Sequence, residues 1–179
     1  MRARHIRRAT RDDVDSIVAL VQELALFERE PDQATATRDD FLRDGFGERP
    51  SFEVLLVEVD GHVAGLAFYF FKYSTWTGRS TLHLEDLFVR EAYRKLGIAT
   101  ELMVELAREA IQRGCRRFEW QVLDWNVGAI AFYEKLGAEV MHGWLPVRLA
   151  GPELEALATR VGGEKSAHVE ERASGPEAC

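Results

Sequence analysis

Apolar residues return every three to four positions along residues 11–27, and this spacing predicts a helix with one apolar face. Thr10 stands directly before the pattern as a candidate N-cap. Asp12 and Asp13 follow in the first turn, where the helix dipole favours negative charge. The same reasoning predicts further helices over residues 38–44, 98–112 and 126–136, ended by Gly45, Gly114 and Gly137.

Elsewhere the pattern is typical of strands. Residues 52–59 and 63–73 are rich in β-branched and aromatic residues, and they meet at Asp60-Gly61, a strong hairpin signal. A third strand is predicted over residues 81–89, after a turn at Gly78, so these three strands should form an antiparallel meander. Shorter strands are predicted over residues 5–9 and 118–123, with a last strand pair around Val140 and residues 145–149.

The predicted order of elements, β-α-α-β-β-β-α-β-α-β, is typical of an α/β fold of the α+β kind. It implies a mixed, mostly antiparallel central sheet flanked by helices on both sides. A chain of 179 residues fits one domain, and we assign it to residues 1–161. Residues 162–179 carry almost no large apolar side chains, so we expect a disordered tail there.

The charge narrows the classes of partner. The net charge of −7 disfavours nucleic acid, whose phosphates an acidic protein repels, and favours a small cationic molecule. No stretch approaches the roughly 18 apolar residues of a membrane span. One of the two cysteines, Cys179, is the last residue, so a structural disulfide is not expected. We therefore expect a cytoplasmic protein without membrane contact.

The segment between the strand at 81–89 and the helix at 98–112 is a candidate anion site. Gly97 and Ala99 are small enough to let a ligand approach the backbone, and the unpaired amides of a helix start suit a pyrophosphate. Arg94 and Lys95 add positive charge. The segment lacks the Gly-Lys-Ser/Thr of a P-loop and the Gly-x-Gly-x-x-Gly of a dinucleotide fold. Taken alone, it is equally compatible with a plain helix start.

Two acids, Glu85 and Asp86, interrupt the otherwise apolar strand at 81–89. An acid in a half-buried strand is costly unless it has a function. Because neighbouring strand residues point to opposite faces, we expect the two acids to have different roles. The alternative is an exposed strand edge. The five histidines do not combine with cysteines or carboxylates at ligand spacing, so no metal site is expected.

Several strings in the chain resemble a known family in the right order. The pattern Arg-x-x-Gly-x-Ala at residues 94–99, followed by LDWN and AFYEKLGA, resembles the GNAT superfamily of acetyltransferases. The segments IRRAT, VQELALFERE, DDFLRDGFGERPSF and LEDLFVREAYRKLGIAT are similar to its diamine (spermidine/spermine) and thialysine N-acetyltransferase family. The resemblance covers residues 4–149 and implies the GNAT fold, with a β-loop-α site for acetyl-CoA.

The resemblance also implies residue roles on the cofactor side. Tyr133 matches the general acid that protonates the leaving thiolate of coenzyme A, and a phenol is protonated at neutral pH. Tyr133 would thereby also touch the cofactor. The remaining cofactor contacts would come from three segments: Leu87, Phe88 and Val89 for the acetyl carbonyl and pantetheine; Arg94, Lys95, Leu96, Gly97, Ile98, Ala99 and Thr100 for the pyrophosphate; Asn126, Val127, Gly128 and Ala129 for pantetheine.

On the acceptor side, the resemblance implies that Glu85 accepts the amine proton through ordered water and that Asp86 helps to hold a cationic substrate. Phe27 and Glu28 match an acceptor-binding pair whose first position is usually Tyr, so a hydroxyl is missing here. The weaker acceptor-side candidates are Trp76, Glu119, Trp120 and Gln121.

The chain departs from the polyamine-specific members in two places. Those members carry an acid at the position of Ser74. They also carry a Glu-Glu pair before a Gly-Trp, whereas the segment from Glu139 to the Gly-Trp of this chain has no such pair. We therefore expect direct acetylation of a primary amine on a lysine-like amino acid or a short diamine, by a homodimer as is usual in the family. An acetyl-CoA sensor without catalysis and a protein N-acetyltransferase are the alternatives.

Overall fold

The computed structural model describes residues 3–143 and 145–160. The tail expected at residues 162–179 lies outside the described residues. The described chain falls into two compact units, which divide after Ala129. The first unit contains the sheet and three helices, and the second contains most of a fourth helix and a short fifth one.

The first unit is built on a five-stranded sheet in the order β1-β2-β3-β4-β5. The first four strands are antiparallel to their neighbours, and β5 lies parallel to β4. This confirms the predicted mixed, mostly antiparallel sheet and the meander at its centre. The strands are β1 (Arg4–Arg8), β2 (Glu53–Val59), β3 (His62–Ser74), β4 (Arg79–Val89) and β5 (Arg117–Trp120).

The first four helices lie close to their predicted bounds, and a fifth was not predicted. They are α1 (Val14–Glu28), α2 (Arg38–Phe46), α3 (Ile98–Gln112), α4 (Val127–Lys135) and α5 (Pro152–Ala158). Helix α2 runs one residue beyond Gly45, where it was expected to end. A β-carbon at Gly45 would come within 2.4 Å of the Phe52 ring, so this glycine serves close packing inside the helix. None of the described helices is long and apolar enough to cross a membrane.

The sheet positions α1 and α3 on opposite faces. The apolar stripe of α1, which includes Ile17 and Leu20, packs with Leu56 of β2 and Phe88 of β4. Helix α3 lies against β2 and β4, and its inner side chains, such as Leu102, are completely buried. Because side chains alternate across a strand, one apolar run in each strand supplies both cores.

The strand pair predicted around Val140 and residues 145–149 is wrong. Among residues 130–143 and 145–160 none lies in a strand, and helix α5 follows instead. Leu145 and Val147 are 87% and 93% exposed. Alternating apolar residues form a strand only where another strand accepts their backbone hydrogen bonds, which a sequence pattern does not guarantee. Strand β5 likewise stops at Trp120 rather than Leu123.

A charged cluster fixes the first strand to the start of α1. The Arg7 guanidinium donates to both carboxylate oxygens of Asp13 at 2.7 Å, and its Nε donates to Glu58 at 2.8 Å. The Thr10 amide also donates to Asp13. The hydrogen bonds from Arg7 hold the pKa of the Asp13 carboxyl well below its usual range.

We expect Asp13→Asn to lower the free energy of unfolding by about 2 kcal/mol at pH 7, because a charge-assisted bidentate pair is lost. A depressed carboxyl pKa stabilises the fold above the unfolded-state pKa near 4 and loses that effect as pH falls. The difference between wild type and variant should therefore shrink below pH 4 in urea titrations.

Asp15→Asn is the matched control, since Asp15 pairs with Arg38 at the surface, with the two side chains 75% and 54% exposed. It should cost less than about 0.5 kcal/mol. Equal losses for the two variants would contradict the role given to Asp13.

Candidate active site

The segment before α3 presents a row of backbone amides without partners in the helix. Lys95 and Gly97 have φ angles of 61° and 83°, in the left-handed region, and Gly97 is the N-cap of α3. The first amide bonded within the helix is that of Glu101, which donates to the Gly97 carbonyl, and no side chain caps the helix. A β-carbon at Gly97 would meet no described atom within 4 Å. The amides of residues 98–100 thus have no acceptor within the helix and suit an anion.

The Arg94 side chain lies against the ends of β4 and α1. Its Nε donates to the Val89 carbonyl oxygen at 2.8 Å. Its guanidinium carbon lies 4.8 Å from the ring centroid of Phe27 and 5.7 Å from that of Phe88. The side chain therefore connects the end of β4 with the end of α1. Its positive charge lies against the two aromatic rings.

Strand β4 has an open edge beside this segment. β5 pairs with β4 only from Thr81 to Leu84, and it ends at Trp120. The following part of β4, residues 85–89, is bonded to β3 but has no described strand on its other side. That edge of residues 87–89 is therefore open to an extended ligand, and the contacts that the family resemblance implies for Leu87, Phe88 and Val89 stay a prediction.

The two acids of β4 lie at a β-bulge. Asp86 is opposite Phe68 on β3, and Leu84 is opposite Tyr69, so Glu85 has no partner residue. The Glu85 carboxylate lies 3.6 Å from Nε2 of His83, whose side chain shares a face of the sheet with Asp86. The expectation that the acids point to opposite faces is therefore wrong, because the extra residue of a bulge shifts the alternation.

The bulge brings three carboxylates into electrostatic contact. Burial, together with the smaller effect of the negative charges of Glu85 and Glu28, raises the pKa of Asp86 to about 7. Burial also raises the pKa of Glu28, the last residue of α1. Carboxylates that repel one another gain most from a bound cation. The predicted acceptor residues Glu28, Glu85 and Asp86 thus act on one another electrostatically, and their combined negative charge suits a cation.

An aromatic pair borders these acids. The rings of Phe27 and Trp125 are 6.3 Å apart, and the guanidinium carbon of Arg29 lies 5.3 Å from the Trp125 ring centroid. Sequence reasoning selected Phe27 but missed Trp125 and Arg29. The available signal was the string LDWN, which precedes α4 and places Trp125 in the loop after β5.

The segment at Asn126 starts helix α4. The Asn126 side-chain oxygen accepts a hydrogen bond from the Ala129 amide at 3.1 Å, so this residue is a helix cap. Val127 and Gly128 form the first turn. Contacts of this segment with pantetheine stay a prediction. Tyr133 lies further along α4, in the second unit, and is half-buried.

Trp76 does not lie near the acids within one chain. It is 84% exposed at the tip of the β3–β4 hairpin. The Phe68–Asp86 pair and the Ser74–Arg79 pair at the tip are six residues apart along β3, which corresponds to about 20 Å.

The remaining acceptor candidates belong to β5 and its end. The Glu119 carboxylate already pairs with Lys72 at 2.8 Å and with Arg117 at 3.4 Å. Trp120 packs against the Phe118 ring, and Gln121 is exposed just after the strand. Glu119 therefore lacks the unpaired carboxylate that an acceptor site would use. The described residues contain no group of three or more His, Cys, Asp or Glu side chains that could hold a metal.

Comparison with known proteins agrees with this geometry. Residues 17–138 match the model of the Acetyltransferase (GNAT) family. The chain is 37% identical over 171 residues to the thialysine N-epsilon-acetyltransferase of Mus musculus, covering 89% of this chain and all of that protein. It is also 37% identical to the spermidine/spermine N(1)-acetyltransferase-like protein 1 of Homo sapiens, over 86% of this chain but 23% of that protein.

The fold is shared with solved structures. An integron cassette protein from the mobile metagenome of V. cholerae superimposes with a TM-score of 0.75 at 27% identity, covering 88% of this chain and 98% of its own. The residues that match the family model include β4, the start of α3 and the start of α4. The chain therefore belongs to the acetyltransferase (GNAT) family, in the group that includes thialysine N-epsilon-acetyltransferases, and is an acetyl-CoA-dependent N-acetyltransferase.

Proposed function

We propose that this enzyme acetylates the side-chain amine of a lysine-like amino acid or a short diamine by direct transfer from acetyl-CoA. The observation that carries the proposal is the bulge in β4. It gathers Glu85 and Asp86 on one face near Glu28, while the same strand continues into the uncapped amides before α3. The bulge in the strand thus suits a cation, and the segment that follows the strand suits a pyrophosphate.

The amine must lose a proton before it attacks the thioester carbonyl. Glu85 is exposed, so it can take that proton through water and pass it to solvent. Asp86 and Glu28 hold the ammonium form and orient the nitrogen. Amides at the open edge of β4 polarise the carbonyl as negative charge develops on its oxygen. Tyr133 donates a proton to the departing sulfur, and acetylated amine and coenzyme A are the products.

The proposed preference for a lysine-like amino acid is based on two acidic positions that this chain lacks. Ser74 and the segment after Glu139 lack the carboxylates that polyamine-specific relatives use, and each such partner contributes about 1 kcal/mol where partly buried. The relative from Mus musculus is named for thialysine, an amino acid with a side-chain amine. A long polycation should therefore be a poorer substrate than a lysine-like amino acid.

A homodimer in a reducing, cytoplasmic compartment is part of the proposal, since the family resemblance implies the dimer. Cys115 is a free thiol, which suits such a compartment. Sedimentation at micromolar concentration tests the oligomeric state.

The proposal is tested by mass spectrometry of lysine, thialysine, ornithine, cadaverine, putrescine, spermidine and spermine, each incubated with acetyl-CoA. A higher kcat/KM for spermine than for the amino acids would refute the ranking. Binding of coenzyme A without acetylation of any amine would favour the sensor alternative. Acetylation of peptides alone would favour a protein N-acetyltransferase.

Gly97→Ala should weaken acetyl-CoA binding at least tenfold, because the added methyl group covers the amides before α3 and disfavours their left-handed geometry. Gly114→Ala is the matched control at the other end of α3. It also has positive φ, at 68°, and also meets no described atom within 4 Å. Calorimetric titration should show loss of affinity in the first variant only. Similar affinities for both variants would exclude the amides as the binding site.

Asp86→Asn should change the pH dependence of acceptor use. The pKa of Asp86 is about 7, so the group is neutral below and anionic above that value. In wild type, kcat/KM for the amine should rise as pH increases through 7, since only the carboxylate attracts an ammonium. The variant should lose this rise and show a higher KM for the amine.

The same substitution should affect stability in the opposite sense. A carboxyl whose pKa is raised by folding destabilises the fold as pH rises from about 4 to above 7. Asp86→Asn should therefore be more resistant to urea than wild type at pH 8, and similar to it at pH 4. An unchanged pH profile in both assays would contradict the role of Asp86.

Tyr133→Phe should lower kcat more than tenfold, because general acid catalysis contributes about 10²–10⁴-fold. Binding of acetyl-CoA should change little, since only a hydroxyl is lost. Tyr73→Phe, at an exposed position of β3, serves as the control. Equal kcat values for wild type and Tyr133→Phe would remove Tyr133 from the mechanism.

A further inference from the structure

Arg29 directly follows Glu28 in the chain, and its charge is not paired with any described carboxylate. Its guanidinium stacks on Trp125, and within residues 3–143 and 145–160 it takes part in no ion pair. By contrast, Arg90, which also lies near the end of α1, is bound to Glu23 at 2.7 Å. An exposed arginine held on an aromatic face keeps its donors directed to solvent and ready for an anion.

The backbone at Arg29 is unusual. The residue follows the last residue of α1 and has φ of 67° and ψ of 24°, in the left-handed region. Glycine or asparagine normally takes this position at a helix end, because other side chains are strained there. An arginine at such a position gives up some stability, and strain of this kind is concentrated at functional sites.

The surroundings of Arg29 combine aromatic rings with charged side chains of both signs. Phe27 and Trp125 form an aromatic wall, with Arg29 against one ring. Glu28, adjacent in sequence, acts electrostatically on Asp86 at the bulge. The other cation on this wall, Arg94 against Phe27, already donates to the Val89 carbonyl, so Arg29 is the one directed to a ligand.

We propose that Arg29 binds the α-carboxylate of an amino-acid acceptor while the acids at the bulge receive its side-chain ammonium. This assignment rests on the proposed function and deepens it. A guanidinium matches a carboxylate with two parallel hydrogen bonds. A diamine or polyamine has no carboxylate, and its second ammonium is repelled by Arg29. Arg29 thus selects zwitterionic acceptors over polycationic ones.

The test uses substrate pairs that differ only by the carboxylate: lysine with cadaverine, and ornithine with putrescine. Arg29→Asn is chosen because asparagine adopts the left-handed backbone readily, so the variant should fold with an equal or higher Tm. Its kcat/KM should fall 10- to 100-fold for the amino acids, which is the range for a lost charge-assisted hydrogen bond. For the diamines it should change less than threefold or rise.

Two further variants sharpen the result. Arg29→Lys keeps the positive charge but not the two parallel hydrogen bonds of a guanidinium. Its kcat/KM for the substrate lysine should therefore lie between the values of wild type and Arg29→Asn. Arg38→Asn removes an exposed positive charge elsewhere, and it should leave the lysine-to-cadaverine ratio unchanged. A similar change in that ratio for both asparagine variants would point to net charge and overturn the assignment.

Equal losses for an amino acid and its diamine, or an unchanged ratio, would also overturn it. Calorimetric binding of lysine and cadaverine to the coenzyme A complex gives a second readout that does not need turnover. If wild type acetylated none of these amines, the proposed function would fail. The assignment of Arg29 would then be decided by whether lysine binding alone is weakened in Arg29→Asn.

Discussion

The extra residue in β4 is the constraint on which the rest of the site depends. Up to Leu84 the strand pairs with both β3 and β5, and after Glu85 it pairs with β3 alone. A bulge bends a strand and shifts which face its side chains occupy. The irregularity places the acids where Glu28 of α1 acts on them, and the strand edge that β5 leaves open begins at the same residue.

The electrostatics of the site follow from this arrangement. A buried carboxyl beside two others keeps its proton near neutral pH, as the pKa of Asp86 shows. This repulsion is a cost in the ligand-free protein, and a bound cation relieves it. Elsewhere in the first unit, acids such as Asp13 are satisfied by arginines and stabilise the fold instead. A lowered carboxyl pKa thus marks an acid that stabilises the fold, and a raised one marks an acid that we propose binds a ligand.

Arg94 connects the two halves of the site physically. It holds the Val89 carbonyl at the end of β4 and stacks on Phe27 at the end of α1. The residue that opens the pyrophosphate motif thus also fixes the aromatic wall of the acceptor side. Its neighbour across that wall is Arg29, whose left-handed backbone ends α1 just where the acids begin. The proposed cofactor and acceptor sites therefore share Arg94 as a positioning residue.

The sequence by itself determined the central meander, helix α3 and the family, because local periodicity, hairpin signals and Gly97 act within a few residues of one another. It also placed Glu85, Asp86 and Glu28 on the candidate list. Only the tertiary structure decided that these acids share a face, that Arg94 turns towards Phe27, and that Trp76 lies about 20 Å from Asp86 within the chain. A bulge and a cation–π contact depend on partners distant in sequence, and no local pattern encodes them. The strand pair predicted near residue 145 failed for the same reason, since a strand exists only where a neighbour completes its hydrogen bonds.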